Sequence, residues 1–488
     1  MQGLDRRLFD AAAVRAVDRR AIDELGIPGY ELMCRAGAAS LHHLRLRWPE
    51  ARRILVLCGP GNNGGDGLVL ARLARAEGFD VRVCCPLGVP RRGDAALAAQ
   101  AFAEGGGQAE SGRVDVAFAG IDVVVDALFG IGPARPPPGD LALWIEALNA
   151  TATPVLALDV PSGIDADSGH APGAALRADV TVSFIALKRG LFTGAAVDCV
   201  GEILLETLDV PRQAFEGVEP YAQLLDADVL KPLAPRTRSA HKGAFGHVLT
   251  IGGDHGYGGA VRMCGEAALR AGAGLVSVAT RAEHVGALLA ARPELMVRDA
   301  ENLDVLLGAA SVLAVGPGLG QGAWGRVRFE RALGFAGPRV FDADALNLLG
   351  EAPRALGAST IITPHPGEAA RLLGCDTAEV QRDRFAALQR LVERYACVVV
   401  LKGAGTLVGD GQRTAVCATG NPGMASGGMG DVLTGIVAAL LAQGLQPFDA
   451  ASAGVWLHGV AGDRAARGGQ RGLLAGDLIA ELRDLVNP

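Results

Sequence analysis

The sequence has no surplus of basic charge. Its 46 lysines and arginines face 53 aspartates and glutamates, a formal net charge of -7, so no cationic field is present to hold a polyanion and nucleic acid is not an expected partner. Long hydrophobic runs are also missing. No stretch reaches the ~18 uninterrupted apolar residues a spanning helix needs, and the longest, around Val123 and Ile436, are bounded by Asp or Gly. Neither a spanning helix nor a membrane partner is expected. Met1 to Asp10 carry charge without an apolar segment and do not read as a secretory signal. The nine cysteines, at 34, 58, 84, 85, 199, 264, 375, 397 and 417, have an odd count and no paired spacing. Buried free thiols in a reducing cytoplasm are expected in place of a disulfide framework. Aromatics are only 5% of the chain and charged residues 20%.

What is present is small and apolar. Hydrophobic residues make up 50% of the 488, with 68 glycines and 25 prolines. Such a chain can bury large cores and make many close backbone approaches, as α/β nucleotide enzymes do. Its length suits two domains. Helical spacing over 10–25 stops at Gly26, and a second helix starts near Tyr30. Apolar runs at 54–58, 81–85, 123–126, 155–159 and 180–185 alternate with helical or turn-rich spacers, the pattern of a parallel sheet wrapped by helices. Residues 209–220 are polar and proline-rich and read as a linker. The pattern then restarts, with strand-like runs at 248–251, 275–279, 312–315, 339–341, 360–363 and 398–401. Two three-layer αβα domains are expected, over 1–215 and 225–488. Ligands in such sheets bind beyond the carboxyl ends of the strands.

Residues 59–67, Gly-Pro-Gly-Asn-Asn-Gly-Gly-Asp-Gly, contain a G-x-G-x-x-G between a strand and a helix. A hydride-transfer site also wants an acid at the end of the second strand. That strand ends Cys-Cys-Pro, so redox use of the motif is disfavoured. There remains a loop able to approach phosphate, with Asn62, Asn63 and Asp66 beyond the needs of a turn. Two later strands end in Asp126 and Asp159, followed by Ser162. One such Asp is usually a cap; several on one sheet edge suggest a site. Asn63, Asp126 and Ser162 suit a hard cation, and Asp159 suits a general base. In the second half, Asn-Pro-Gly-Met-Ala-Ser-Gly-Gly-Met-Gly-Asp at 421–431 runs into an apolar helix. Amides from Gly427 to Gly430 can form an anion hole, and Asp431 in the first helical turn suits a base toward a hydroxyl. Lys402, leaving the apolar run 398–401 and followed by Gly403, Ala404, Gly405 and Thr406, makes a phosphate grip. His365 has no His or Cys at metal-ligand spacing and is expected to contact ligand or cap a turn.

Leu-Met-Cys-Arg-Ala-Gly at 32–37, Asn-Asn-Gly-Gly-Asp-Gly at 62–67, Asp-Ala-Leu-Phe-Gly-Ile-Gly at 126–132 and Asp-Val-Pro-Ser-Gly-Ile-Asp at 159–165 resemble the NAD(P)H-hydrate epimerase domain. The resemblance spans about 10–210 and implies a Rossmann-like fold. It implies that Asn62, Asn63, Gly64, Gly65, Asp66 and the stretch Gly130, Ile131, Gly132, Pro133, Ala134, Arg135, Pro136 line the hydrated nicotinamide nucleotide. Asp159 would contact it, and Asn63, Asp126 and Ser162 would hold K+. Gly-x-Gly-Asp ending at 431 resembles ribokinase-like kinases, and the fuller set of motifs over about 225–488 is similar to their ADP-dependent NAD(P)H-hydrate dehydratase branch. That likeness implies that Ala260, Gly318, His365 and Asp431 contact the hydrate, and that Lys402 to Thr406 with Gly430 hold the adenine nucleotide. Mg2+ is implied as well. His365-Pro-Gly-Glu368 stands where such kinases carry Asn-x-x-Glu, leaving Glu368 as the metal-organising residue. Together the resemblances imply a bifunctional metabolite-repair enzyme: R and S forms of NADHX and NADPHX are epimerised, and the S form is dehydrated with ADP through a phosphorylated intermediate. A homo-oligomer is the expected assembly. The rivals are a small-molecule kinase fused to a nucleotide-binding domain and a ligand-binding scaffold without turnover.

Overall fold

A computed structural model describes residues 6–111, 118, 120–132 and 135–487. The chain forms two compact units, Met1–Gln223 and Leu224–Pro488. The first is built on seven parallel strands in the order Ala109–Ser111, Asp80–Cys85, Arg53–Cys58, Val123–Ala127, Val155–Leu158, Val180–Phe184, Glu202–Glu206. Both faces of the central strands are covered: Ile54, Val56 and Cys58 enter one apolar cluster, while Leu55 and Leu57 enter the other. This is why the strands read as unbroken apolar runs. Cys85 and Cys84 divide between the same two clusters, as adjacent strand residues must. All nine cysteines are free thiols.

The second unit repeats the plan. Parallel strands run in the order Met296–Asp299, Leu275–Thr280, His247–Ile251, Val312–Val315, Arg339–Phe341, Thr360–Ile362, Val398–Leu401. An antiparallel hairpin, Thr406–Gly409 and Thr414–Cys417, extends the edge. In each unit the chain starts mid-sheet, builds one flank, and returns to build the other, so the crossover direction reverses beside the first central strand. Ligands of open α/β sheets bind at such reversals. Both are packed to the backbone. A Cβ on Gly59 would run into the Leu128 carbonyl, and one on Gly252 into the Pro317 carbonyl.

Two expectations are corrected. The glycine run is not a loop before a helix, because the helix Asn62–Ala76 starts inside it at the N-cap Gly61. Gly64 lets that first turn press on the Gly59 carbonyl, where a Cβ would collide. Residues 209–220 are not a free linker. The turn Arg212–Phe215 buries Ala214 and Phe215 in the first unit, with the Phe215 ring 5.8 Å from Phe9. Proline and charge there mark a tight turn that Arg20 holds by donating to the Ala214 and Glu216 carbonyls.

The helix Gly29–Arg47 presents Leu32, Met33, Ala36, Gly37, Ser40, Leu41 and Leu44 inward, a stripe at helical spacing. Gly37 is its contact with the helix Asn62–Ala76: a Cβ there would lie 2.6 Å from Val69 Cγ1 and 2.9 Å from the Leu70 nitrogen. Gly37→Ala is expected to destabilise the first unit by about 1–3 kcal/mol through overpacking. Chemical denaturation followed separately for the two units checks this; an unchanged midpoint for the first unit would show that the helices separate at no cost.

Candidate active sites

In the first unit a cavity of about 350 Å³ opens at the sheet reversal. Its floor and walls include Asn62, Asn63, Asp66, Gly130, Ile131, Gly132 and Asp159, all expected from the sequence. Gly64 and Gly65 lie beneath them, Gly65 against the Met33 thioether, and shape the helix start without facing the cavity. Arg135 and Pro136 are exposed and not part of the wall; Pro133 and Ala134 lie outside the described residues. Asp126 and Ser162 sit behind the wall. Asp126 is fully buried and accepts bonds from the Ser162 amide (2.7 Å), the Ser162 hydroxyl (2.7 Å) and the Leu128 amide (3.2 Å). Burial pushes its carboxyl up to about 6, against those three bonds. Both side-chain polar atoms of buried Asn63 lack a partner, while its Cγ would lie 3.1 Å from a Cβ on Gly130. A buried side-chain amide with no protein partner is open to a ligand.

Asp159 is held in the left-handed region at φ 68, just past its strand, with its amide bonded to the Val182 carbonyl at 2.7 Å. That geometry turns its carboxylate onto the Lys188 ammonium. Lys188 is completely buried and also donates to the Phe184 carbonyl (2.7 Å) and the Ser183 hydroxyl (3.2 Å). Asp18, Asp94 and Arg15 complete the charged lining. Asp18 is raised by burial and by Asp159 and Asp94. Lys188, Asp18 and Asp94 were not singled out in the sequence. The signal for Lys188 was available, a cation closing the apolar run Ile185-Ala-Leu, the pattern that marked Lys402.

In the second unit the helix Met429–Ala442 begins after Gly428, which takes φ 92. Lys402 Nζ bonds Asp342 Oδ1 at 2.7 Å and lies 3.9 Å from Glu368 Oε2. Thr434 donates to the second Asp342 oxygen at 2.9 Å. Gly430 fits between them: its Cβ would be 3.3 Å from Lys402 Nζ and 3.5 Å from Asp342 Oδ2. Burial works against the Lys402 charge, but Asp342 and Glu368 outweigh it and raise the ammonium above its ordinary value. Asp431, one residue on, is raised to about 7 by burial and by the charges of Asp342 and Asp344, with Lys402 opposing. His458 is pushed down to about 4 by burial and bonds the Met429 carbonyl at 2.9 Å, which fixes the neutral Nε2–H form at the helix start.

His365 caps the helix Pro366–Leu373, its Nδ1 accepting from the Gly367 amide (3.0 Å) and the Glu368 amide (3.3 Å). The Glu368 carboxylate accepts the His365 amide in return at 2.8 Å. Within the Lys402–Thr406 loop the Thr406 hydroxyl donates to the Gly403 carbonyl at 3.0 Å. Buried Arg384, unmarked in the sequence, ties down that loop through the Leu401 carbonyl (3.1 Å) and the Lys402 carbonyl (3.2 Å). Ala260 and Gly318 meet at the reversal, where a Cβ on Gly318 would lie 3.3 Å from Ala260 Cβ. Among the described residues no group of three or more His, Cys, Asp or Glu is arranged to hold a metal, and no helix is long and apolar enough to cross a membrane.

Comparison with known proteins bears on both sites. Residues 29–190 match the profile of the YjeF-related protein N-terminus, and residues 248–484 that of NAD(P)H-hydrate dehydratase. Over 490 residues the chain is 50% identical to the bifunctional NAD(P)H-hydrate repair enzyme of Coxiella burnetii, covering 99% of each. The chain belongs to the bifunctional NAD(P)H-hydrate repair enzymes. A second member of that family, from Escherichia coli, is 48% identical over 97% of this chain and 93% of its own. As in that family, an epimerase domain precedes a dehydratase domain. Among solved structures, a ribokinase-like superfamily protein of Enterococcus faecalis matches with 31% identity and TM-score 0.51, over 54% of this chain and 94% of its own. A hypothetical protein of Streptococcus mutans matches with 32% identity and TM-score 0.51, over 54% of this chain and 100% of its own. The dehydratase unit of this repair enzyme is accordingly ribokinase-like.

The Lys188–Asp159 pair carries a direct test. Lys188→Met leaves the Asp159 carboxylate buried without its cation, and the first unit is expected to lose about 3–5 kcal/mol. Adding Asp159→Asn to that variant is expected to restore most of the loss. Denaturation of single and double variants reads both; a Lys188→Met midpoint equal to that of the unsubstituted chain would show the pair does not hold the site.

Proposed function

We propose that the first unit interconverts the R and S epimers of NADHX and NADPHX with Asp159 in proton transfer, and that the second dehydrates the S epimer with ADP, Asp431 acting as base. The observation that carries this is the cluster of Asp431, Gly430, Lys402 and Asp342 at one helix start. Asp431 takes the proton of the substrate hydroxyl as that oxygen accepts a phosphoryl group. Amides at Gly427 to Gly430 and the Lys402 ammonium face the charge that builds on the phosphoryl oxygens. The Lys402–Thr406 loop, held by Arg384, grips the donor nucleotide. Phosphate leaves far more readily than hydroxide, so the lone pair of the ring nitrogen then expels it as a carbon–nitrogen double bond forms, and loss of a proton from the neighbouring ring carbon restores the nitrogen lone pair and the reduced nicotinamide. His365, Ala260 and Gly318 bound the hydrate.

The residues fit a Mg2+ that arrives with the nucleotide phosphates, since Glu368 and Asp342 offer carboxylates beside Lys402 but no closed cage; bound there it neutralises phosphate charge. K+ fits the first unit better than a small divalent ion, with the orphaned Asn63 amide, the Asp126 carboxylate and the Ser162 oxygen as ligands, and bound there it supplies positive charge behind the cavity wall. The epimerase domain boundary lies near 215 to 223 in this reading, and the oligomer is formed of identical chains.

Recovery of absorbance at 340 nm from a mixture of NADHX epimers, with ADP or ATP, tests the whole reading. Recovery beyond the S fraction is expected; none with either nucleotide overturns it. Asp431→Asn is expected to slow dehydration of the S epimer by about 10²–10⁴-fold. Because the base must be ionised, kcat/KM should rise with pH and level off above about 7. The same raised carboxyl binds a proton in the folded state that the unfolded chain releases, so the second unit should lose stability as pH rises from 3.8 to about 7. A flat pH profile sinks the assignment. K+ is expected to raise the Tm of the first unit, and Asp126→Asn to abolish that shift; an equal shift with Na+ would count against a K+ site.

A further inference from the structure

Two of the four carboxyls that line the cavity of the first unit are in opposite circumstances. Asp159 is committed, tied to the Lys188 ammonium and approached by the Phe184 amide at 3.3 Å. Asp66, in the helix Asn62–Ala76, lines the same cavity, and its side chain has no hydrogen-bond or ion-pair partner among the described residues. A polar group facing a cavity with nothing to bond is a group waiting for a ligand. Removal from water, with Asp159 and Asp18 adding to it, holds the Asp66 carboxyl well above the usual carboxylate range, and Lys188 opposes this. Other groups around the cavity are Arg15 and Asp18 from the helix Ala11–Asp23, and Asp94 from the start of the helix Gly93–Glu104. The Cys58 thiol beneath is itself pushed up by burial. Two acids whose surroundings differ this way divide into a donor and an acceptor.

Resting on the epimerase reading above, we infer that Asp66 is the proton donor of the epimerisation and Asp159 the acceptor, acting on opposite faces of the hydrated carbon. Asp66 gives its proton to the substrate hydroxyl, the carbon–oxygen bond breaks with its electron pair going to oxygen, and water leaves. The lone pair of the ring nitrogen fills the vacancy as a carbon–nitrogen double bond. Water adds from the other face, its electron pair forming the new carbon–oxygen bond while the nitrogen regains its lone pair. Asp159 takes the proton that this water sheds. Asp66 is left ionised and Asp159 protonated, and exchange through cavity water resets them. No oxidant or reductant is needed, and the reverse reaction exchanges the two roles.

The test uses the full chain with ADP and a mixture rich in the R epimer, so that the second unit reports S epimer as it forms. Asp66→Asn keeps the shape and a hydrogen bond but cannot give up an acid proton. It is expected to slow use of the R epimer by about 10²–10⁴-fold in kcat with KM little changed, leaving the initial burst from S epimer intact. Asp66→Glu should recover part of the rate. In oxygen-18 water, hydrate recovered without ADP should gain one solvent oxygen per inversion. Normal kcat in Asp66→Asn, or a rise in KM alone, overturns the donor role. Inversion with the original oxygen retained overturns the bond-breaking step. If Asp159→Asn also leaves the rate untouched, the epimerase assignment of Asp159 fails, an outcome distinct from failure of Asp66 alone.

Discussion

An ammonium taken out of water must be met by a carboxylate and by further acceptors, or it will not stay charged. Both halves of this chain are arranged around that demand. In each, a lysine leaves the last turn of an apolar run at the sheet's carboxyl edge and meets an aspartate placed just past another strand: Lys188 with Asp159, Lys402 with Asp342. The partner's position is then dictated, and with it the backbone. Asp159 takes an unfavourable left-handed conformation to reach its lysine, and Gly430 keeps the space beside its own free of a side chain. The neighbouring acids follow, since each lies in a field set by one cation and several carboxylates.

The glycines share a second logic. At each sheet reversal a strand ends where the returning loop crosses it, and the crossing backbone takes the space a Cβ would need. Gly59 under Leu128 and Gly252 under Pro317 are the same solution in two unrelated sequences. In the first unit the close approach brings the start of the helix Asn62–Ala76 to the strand ends; in the second the helix Met429–Ala442 starts against Lys402 and Asp342, so amides, carboxylates and lysine converge there.

Much of this was legible. Fully buried parallel strands spell themselves as apolar runs, and each run read as a strand is one. What escaped were partly polar or short edge strands, such as Ala109–Ser111 and Met296–Asp299, where burial on one side leaves no run to read. The hairpin around Asp410-Gly411 was missed although its turn dipeptide stood between two apolar stretches. In the sites, Asp126, Asp159, Lys402 and Asp431 were visible as strand or helix termini. Asp342 closes the run 339–341 in the same way but was given no role, since its bond to Lys402 spans 60 residues; Arg384, inside a helix, carried no such signal and reaches across to carbonyls of another loop. Spacing along a chain carries no trace of such pairings.

The left-handed backbone at Asp159 also narrows the paths open to drift. Besides glycine, asparagine and aspartate visit that region most readily among the common residues, so the two replacements that the backbone alone favours, asparagine and glycine, both discard the carboxylate. A single nucleotide change of either kind would suit the turn of the main chain and strand the buried Lys188 ammonium without its carboxylate. Position 159 is therefore closed to drift from two sides, since the backbone rejects most side chains and the lysine rejects the uncharged ones that remain.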